Sequence, residues 1–300
     1  MKLLITGSSG FVGSYFINKY KDKYAINTFS FLKDDLSTLD CGNIDVVFHL
    51  SALVHQMGGA STSEYERVNV TQTLELAKKA KKSGVKHFIF MSTVKVYGEE
   101  ADNKYTENSV CHPEDEYGKS KLKAEQELLG LSEEGVGDSD GFKVSIVRTP
   151  IIYGYGVKAN IKSLVGLVKK VPVLPFGNIQ NKRSMVYIGN LCHLVDVVIE
   201  EQKSGIFLAS DDEPLSTTKL IELIAKNLDK KIYLIKIPFF ETLLKVVKPS
   251  FHKRLYGSLE VDNNITKEKL GLQNPYSVED GIEMMIHLKG TSCRAKGDNI

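Results

Sequence analysis

Tyr117-Gly118-Lys119-Ser120-Lys121 sets a phenol and an amine four residues apart. On a helix, positions i and i+4 share a face, so the pair can work as one acid–base unit. A free tyrosine has a pKa near ~10 and is a sluggish base at neutral pH; a neighbouring cation that stabilises the phenolate makes it a usable proton carrier. Lys121 is placed to supply that charge. The same spacing also occurs on ordinary surface helices, so other motifs must decide between the two readings.

A second motif lies at the amino terminus. Thr6-Gly7-Ser8-Ser9-Gly10-Phe11-Val12-Gly13 falls between a predicted strand near 2–6 and a predicted helix from 11. Small residues there let backbone amides approach a pyrophosphate at the helix amino terminus. Gly7, Gly10 and Gly13 are the contact positions, with Ser9, Phe11 and Val12 in the same turn. The G-x-x-G-x-x-G spacing is one residue longer in its first gap than the commoner dinucleotide fingerprint. The strand near 25–31 should end in an acidic residue if the ribose keeps a free 2′-hydroxyl, yet it ends Phe29-Ser30-Phe31-Leu32-Lys33. Ser30 and Lys33 suit a 2′-phosphate, which leans the reading towards NADP and leaves NAD open. Asp35-Leu36 is alternatively an acidic–apolar pair that grips adenine.

These motifs must be held by a scaffold, and the periodicity supplies one. Short apolar runs alternate with helical patterns: strands near 2–6, 25–31, 44–50, 86–92 and 143–148, helices from 11, at 64–82 and at 115–130. That alternation predicts an α/β fold, a Rossmann-type doubly wound parallel sheet. After Arg148 prolines punctuate shorter elements, predicting a smaller, interleaved substrate-binding lobe. Residues 1–150, with about 186–210 returning to the sheet, form the dinucleotide domain; 151–185 and 211–290 form the lobe, and 291–300 is read as a polar, disordered tail. The loop Ser132 to Gly141 carries no chemistry.

Composition narrows the function classes. The 300 residues carry net charge +2, from 39 basic and 37 acidic side chains, which argues against a nucleic-acid-tracking surface. Four cysteines, Cys41, Cys111, Cys192 and Cys293, lie far apart without a CxxC pair, so neither a zinc site nor a disulfide framework is expected and a cytoplasmic location fits. No run reaches the roughly 18 apolar residues of a membrane span. The apolar, basic segment Phe239 to Leu255, broken by Pro249, is read as an ordinary packed helix in preference to an interfacial membrane helix.

Taken in order, six motifs resemble the extended short-chain dehydrogenase/reductase family of nucleotide-sugar epimerases, dehydratases and reductases. They are the glycine turn, His49-Leu50-Ser51-Ala52, Asn69-Val70, Ser92-Thr93-Val94-Lys95-Val96-Tyr97-Gly98, Tyr117 to Lys121, and Arg148-Thr149-Pro150. The resemblance covers nearly the whole chain. It implies that Thr93 hydrogen-bonds the reacting sugar oxygen, Tyr117 carries the proton and Lys121 binds the nicotinamide ribose. It places Leu50, Ser51, Ala52, Asn69, Met91 and Pro150 against the cofactor and Ser92 and Lys95 near the substrate. A hydroxyl, a tunable phenol and a cation are also what hydride transfer at a carbinol or ketone requires.

Dehydratases of this family carry Asp-Glu after the hydroxyl residue; here Val94 and Lys95 stand there, so elimination is not expected. Epimerases typically have an asparagine where this chain has Ile151. The second lobe, with Gly156 to Asn160, Gly177-Asn178 and Asn181 to Tyr187, is similar to bacterial O-antigen and capsule enzymes that reduce UDP-4-keto-6-deoxy-N-acetylhexosamines, which are often labelled UDP-glucose 4-epimerases. The expectation is therefore a UDP-sugar 4-keto reductase in surface polysaccharide precursor synthesis, with a 4-epimerase as alternative and a non-catalytic dinucleotide sensor as a distant one. Asn160 would touch substrate, and Arg183 and Arg254 would clamp its diphosphate. His55 is a further substrate contact or a structural histidine. The resemblance also implies a homodimer through the helices near 64–82 and 115–130.

Overall fold

Valine, isoleucine and phenylalanine dominate the short runs of the first half, and in the computed structural model these runs become parallel strands, largely buried except for the run at 25–29. The structure describes residues 1–54, 60–100, 103–133 and 141–287. Ten strands occur among them: β1 (Lys2–Thr6), β2 (Ala25–Phe29), β3 (Val46–His49), β4 (His87–Thr93), β5 (Lys143–Thr149), β6 (Ile151–Tyr153), β7 (Val173–Leu174), β8 (Met185–Tyr187), β9 (Gly205–Leu208) and β10 (Tyr233–Leu234). Six form one parallel sheet in the order β2-β1-β3-β4-β5-β9. Every residue of β3 is buried, as expected of a strand covered by helices on both faces.

The strand order reverses at β1, which has β2 on one side and β3 on the other. Open α/β sheets bind ligands in the crevice outside the carboxyl ends at such a switch point. The glycine turn lies there, between β1 and α1 (Phe11–Tyr20). Gly7 has φ +67°, and a Cβ on it would lie 2.9 Å from the Leu50 carbonyl carbon and the Ser51 nitrogen. A Cβ on Gly13 would lie 2.5 Å from the Gly7 oxygen and 2.8 Å from Ser8 Cα. Glycine at these two positions lets β1, α1 and the end of β3 meet closely.

The helix predicted at 64–82 is interrupted. It begins as α2 (Thr62–Tyr65), capped by Ser61 with Glu64 in a reciprocal capping box. One π-helical turn, Glu66–Thr71, follows before α3 (Gln72–Lys82). Wider turns of this kind re-aim side chains within a helix. Asn69, in the π turn, is fully buried. The predicted helix at 115–130 is α4 (Glu116–Glu133).

Beyond β5 the chain builds shorter elements. Strand β6 pairs with β8, and β7 with β10. Between them lie α5 (Ala159–Lys170), α6 (Ile188–Glu200) and α7 (Thr217–Asn227). Asp211 ties this region together: it accepts from Tyr153 Oη at 2.6 Å, Asn190 Nδ2 at 2.7 Å and the Tyr187 amide at 3.0 Å. The carboxyl-terminal half adds α8 (Phe240–Val247), α9 (Pro249–Tyr256), α10 (Asn264–Leu270) and α11 (Val278–His287).

The segment expected to be one packed helix is two. The chain breaks at Lys248 so that Pro249 can take the first position of α9, where its missing N–H costs nothing. Neither α8 nor α9 contains a fully buried residue. The packing expectation is thus met on one side only, because α8 is apolar on its outward side as well. His55, most of the 132–141 loop and the 291–300 tail lie outside the described residues. No helix among the described residues is long and apolar enough to cross a membrane.

Two glycine-to-alanine substitutions separate the roles of glycine here. Gly13→Ala meets backbone atoms that cannot swing aside and should cost about 1–3 kcal/mol of unfolding free energy. Gly166→Ala, inside α5 with nothing within 4 Å of the new Cβ, should add about 0.5–1 kcal/mol. Urea melts of the two variants test both signs.

Candidate active site

Strand β4 delivers Thr93 to the carboxyl edge of the sheet, where its Oγ1 accepts from the Lys95 amide at 3.2 Å and fixes the following turn. Helix α4, which carries Tyr117 and Lys121, packs against β4 and the turn that follows it. Its first turn is held by Asp115, whose carboxylate accepts from the Gly118 amide at 2.7 Å. Gly118 permits a close approach: a Cβ there would lie 2.9 Å from the Lys95 carbonyl oxygen. The first turn of α4 is therefore pressed, at Gly118, against the turn after Thr93.

Lys121 is 2% exposed, with Nζ 4.0 Å from the centroid of the Phe90 ring. Burial pulls its pKa from 10.5 down to about 7, against the opposing pull of Glu125. His49 lies close enough to feel the Lys121 charge. Chiefly through burial, its pKa is lowered to about 3, and it sits as a neutral ring between Thr6 Oγ1 at 2.7 Å and Thr73 Oγ1 at 2.9 Å.

Tyr117 stands in an environment that the spacing alone does not give. Its ring lies 6.4 Å from that of Tyr65, and burial, the Asp115 charge and Tyr65 together push the phenol above its ordinary value. Burial that brings Lys121 down to about 7 also weakens it as a source of positive charge.

Behind these groups lies a buried polar network. Arg148 of β5 donates from Nη2 to Glu125 Oε2 at 2.5 Å and from Nε to both Glu125 oxygens at 3.1 Å. Its Nη1 donates to Tyr97 Oη at 2.7 Å. Ser92 Oγ donates to Glu125 Oε1, so the hydroxyl expected near substrate faces into the protein. Sequence reasoning passed over Glu125. Its signal was available, because it stands four residues after Lys121 and eight after Tyr117 on one helix.

On the cofactor side, Ser9 and Gly10 are exposed, while Phe11 and Val12 are half-buried. The amino terminus of α1 has no side-chain cap and no acidic residue in its first turn. Its free amides and positive dipole end are open to an anion, which fits a dinucleotide pyrophosphate. Thr6 Oγ1 accepts from the amides of Leu50 and Ser51, each at 3.2 Å, and so shapes the wall of the crevice. Ala52 and Met91 are half-buried and Pro150 is buried. Asn69, expected at the cofactor, bonds the Leu53 amide at 2.8 Å, the Leu53 carbonyl and Ser120 Oγ. It pins the loop after β3 to α4.

The end of β2 is a tight turn in which the Ser30 carbonyl accepts from the amides of Lys33 and Asp34 at 2.9 Å. The Asp34 carboxylate folds back onto the Ser30 amide at 3.1 Å. Asp35 is exposed and caps the short helical turn Leu36–Thr38, accepting from the Ser37 amide at 2.8 Å, which holds its pKa below the usual carboxylate range.

On the substrate side, Lys95 is paired with Asp115 at 2.5 Å and Glu99 at 2.9 Å. Arg183 donates from Nη2 to the carbonyls of Lys253 at 3.0 Å and Gly257 at 3.2 Å. Burial lowers its pKa, Glu100 and Glu99 oppose that, and Arg254 of α9 adds to it. The two arginines expected to clamp a diphosphate are therefore electrostatic neighbours. Asn160 is exposed in the first turn of α5. A cavity of about 260 Å³, lined by Pro175, Gln180, Asn181, Lys236 and Tyr256 among others, lies in this lobe. It shares no residue with the Thr93–Tyr117–Lys121 group.

Comparison with known proteins agrees with this geometry. The family model for the "NAD dependent epimerase/dehydratase family" matches residues 3–208. A "UDP-glucose 4-epimerase" of Vibrio cholerae is 37% identical over 319 residues, covering 94% of this chain and 93% of that protein. An "N-acetyl-alpha-D-glucosaminyl-diphospho-ditrans,octacis-undecaprenol 4-epimerase" of Escherichia coli O157:H7 is 25% identical, covering 99% and 97%. Among solved structures, UDP-glucuronic acid 4-epimerase from Bacillus cereus in complex with NAD shares the fold with a TM-score of 0.74 at 21% identity, covering 95% of this chain and 97% of that one.

The buried amine makes a signed stability prediction. Lys121 binds more protons unfolded than folded between its folded pKa of about 7 and its ordinary value of 10.5, so stability rises with pH across that window. Lys121→Met should raise the melting temperature of nucleotide-free protein most below pH 7, and the gain should shrink steadily towards pH 10.5. A gain independent of pH, read by thermal melts, would show that burial does not depress this lysine.

Proposed function

Because this chain belongs to the NAD dependent epimerase/dehydratase family, we propose that it interconverts the C4 epimers of a UDP-linked hexose or N-acetylhexosamine. The observation that carries the proposal is the packing of α4, which bears Tyr117 and Lys121, against β4 and the turn after it, where Thr93 ends the strand, together with the open amino terminus of α1 at the sheet's switch point. The relatives named above as 4-epimerases support the reaction and the site on the sugar.

The cofactor in this reading is NAD. The carboxylates of Asp34 and Asp35 both stand in the turn after β2, where they would repel a 2′-phosphate and can accept from ribose hydroxyls. This reverses the lean towards NADP taken from Ser30 and Lys33. The glycine turn would hold the pyrophosphate, with Ser51, Ala52, Met91 and Pro150 along the rest of the crevice. The bound dinucleotide supplies a hydride acceptor and donor.

The chain's own residues handle the proton. Tyr117 takes the C4 hydroxyl proton as the sugar is oxidised and returns it as the sugar is reduced. Thr93 offers a hydroxyl to the same oxygen and stabilises the charge that develops there. Lys121, lowered to about 7 by burial, would hold the cofactor's ribose and regain charge beside anionic groups of the cofactor, and that charge would ease Tyr117 back towards a useful pKa. Arg183 and Arg254 neutralise the diphosphate. Val94 and Lys95 occupy the positions where elimination would need an acid pair.

A 4-keto reductase is the second reading, favoured by Ile151, 37% exposed, in place of an asparagine. It uses the same residues in one direction only. A cytoplasmic homodimer through α2, the π turn, α3 and α4, where Lys123 of α4 pairs with Glu66 of the π turn, completes the proposal. Light scattering measures that stoichiometry.

The deciding assay mixes the purified protein anaerobically with UDP-glucose or UDP-N-acetylglucosamine and follows the C4 epimers by NMR. Interconversion with no net consumption of nicotinamide is expected. Stoichiometric loss of NADH absorbance with UDP-4-keto-6-deoxy-N-acetylglucosamine, and no epimerisation, would replace the epimerase with the reductase. Tyr117→Phe should slow either reaction by roughly 10²- to 10⁴-fold. Unchanged turnover in that variant would sink both.

A further inference from the structure

Helix α8 is apolar on two sides. Phe240 and Leu244, four residues apart, are half-buried against the body of the protein, with the Phe240 ring 6.4 Å from that of Phe176. Phe239, Leu243, Val246 and Val247 stand at i, i+4, i+7 and i+8, which is one helical stripe. These four are 86%, 58%, 77% and 62% exposed. Phe251 on α9 extends the surface. Among the described residues, exposed large apolar side chains concentrate between Tyr233 and Phe251, and none stands on α3 or α4.

The backbone adds a second observation. Phe239 begins α8 at φ 60°, in the left-handed region that bulky residues avoid. The chain holds this strained conformation in a way that turns the ring outward. Strain kept at a residue with so little contact of its own points to a contact made elsewhere.

The charge around the stripe identifies that contact. Between Lys236 and Arg254 the chain carries Lys236, Lys245, Lys248, Lys253 and Arg254 against a single acid, Glu241. Lys236, Lys245 and Lys248 are exposed. The whole protein has a net charge of only +2, so this patch departs from its average. Apolar side chains rimmed by lysine suit the interface of an anionic bilayer, where the apolar groups enter the acyl boundary and the amines meet lipid phosphates.

We propose that the α8–α9 hairpin docks this enzyme reversibly on the surface of an anionic membrane. Phe239, Leu243, Val246 and Val247 insert, and Lys245 and Lys248 pair with the headgroups. Docking by this face leaves α2, α3 and α4 uncovered.

The test is co-sedimentation of the full-length protein with vesicles rich in phosphatidylglycerol or made of phosphatidylcholine alone, at about 0.15 M salt. Binding to the anionic vesicles only is expected. Lys245→Glu with Lys248→Glu should weaken it by at least ten-fold, since each cationic residue near such a surface contributes roughly five-fold. Leu243→Glu with Val247→Glu should abolish it. Both double variants should keep the wild-type melting temperature, because none of these side chains is buried. Failure of the wild type to bind anionic vesicles, or binding that neither variant changes, would overturn the proposal. So would a wild-type oligomer that Leu243→Glu dissociates without any vesicle binding, which would assign the face to a second copy of the chain.

Discussion

A guanidinium and a carboxylate, both almost fully buried, meet between β5 and α4, and the active-site geometry hangs on that contact. Arg148 grips Glu125 through three hydrogen bonds, Ser92 of β4 donates to the same carboxylate, and Tyr97 accepts from the far side of the guanidinium. The four residues belong to β4, the turn after it, α4 and β5. Those are the elements that present Thr93, Tyr117 and Lys121. A buried ion pair adds little stability over an apolar packing of the same volume, yet removing one partner strands a charge and costs about 3–5 kcal/mol. Glu125 and Arg148 therefore hold three elements in one register more than they stabilise the fold.

The same burial that fixes the site works against its charges. Lys121 is brought near neutrality, His49 is kept neutral and the Tyr117 phenol is raised, each chiefly by loss of water. A site of this kind is poised for a ligand that brings compensating charge. The open amino terminus of α1 is suited to an anionic group of such a ligand.

Much of this was legible in the residues. The glycine spacing with its flanking apolar runs gave the strand–turn–helix, and alternation of strand and helix patterns gave the parallel sheet, because both signals are local. The π turn that buries Asn69 could not be read, since a helix with one wider turn keeps nearly the same apolar period. Ser92 was misjudged for a similar reason. Its place at the end of β4 is clear from sequence, but which way its hydroxyl turns depends on Glu125, which comes 33 residues later. The burial that shifts Tyr117 and Lys121 could not be read either, as i,i+4 spacing fixes a shared face but not the dielectric around it. The outward stripe of α8 was visible as composition, and only the fold shows that its neighbours cover the other side.

The central claim is that hydride leaves and returns to one carbon of the sugar while Tyr117 moves the proton. UDP-hexose deuterated at C4, incubated with the protein in ordinary water and followed by NMR, tests it most directly. The account predicts that the label stays on C4 in both epimers, with no wash-out to solvent. Loss of deuterium to water, or epimerisation that leaves C4 untouched, would contradict it.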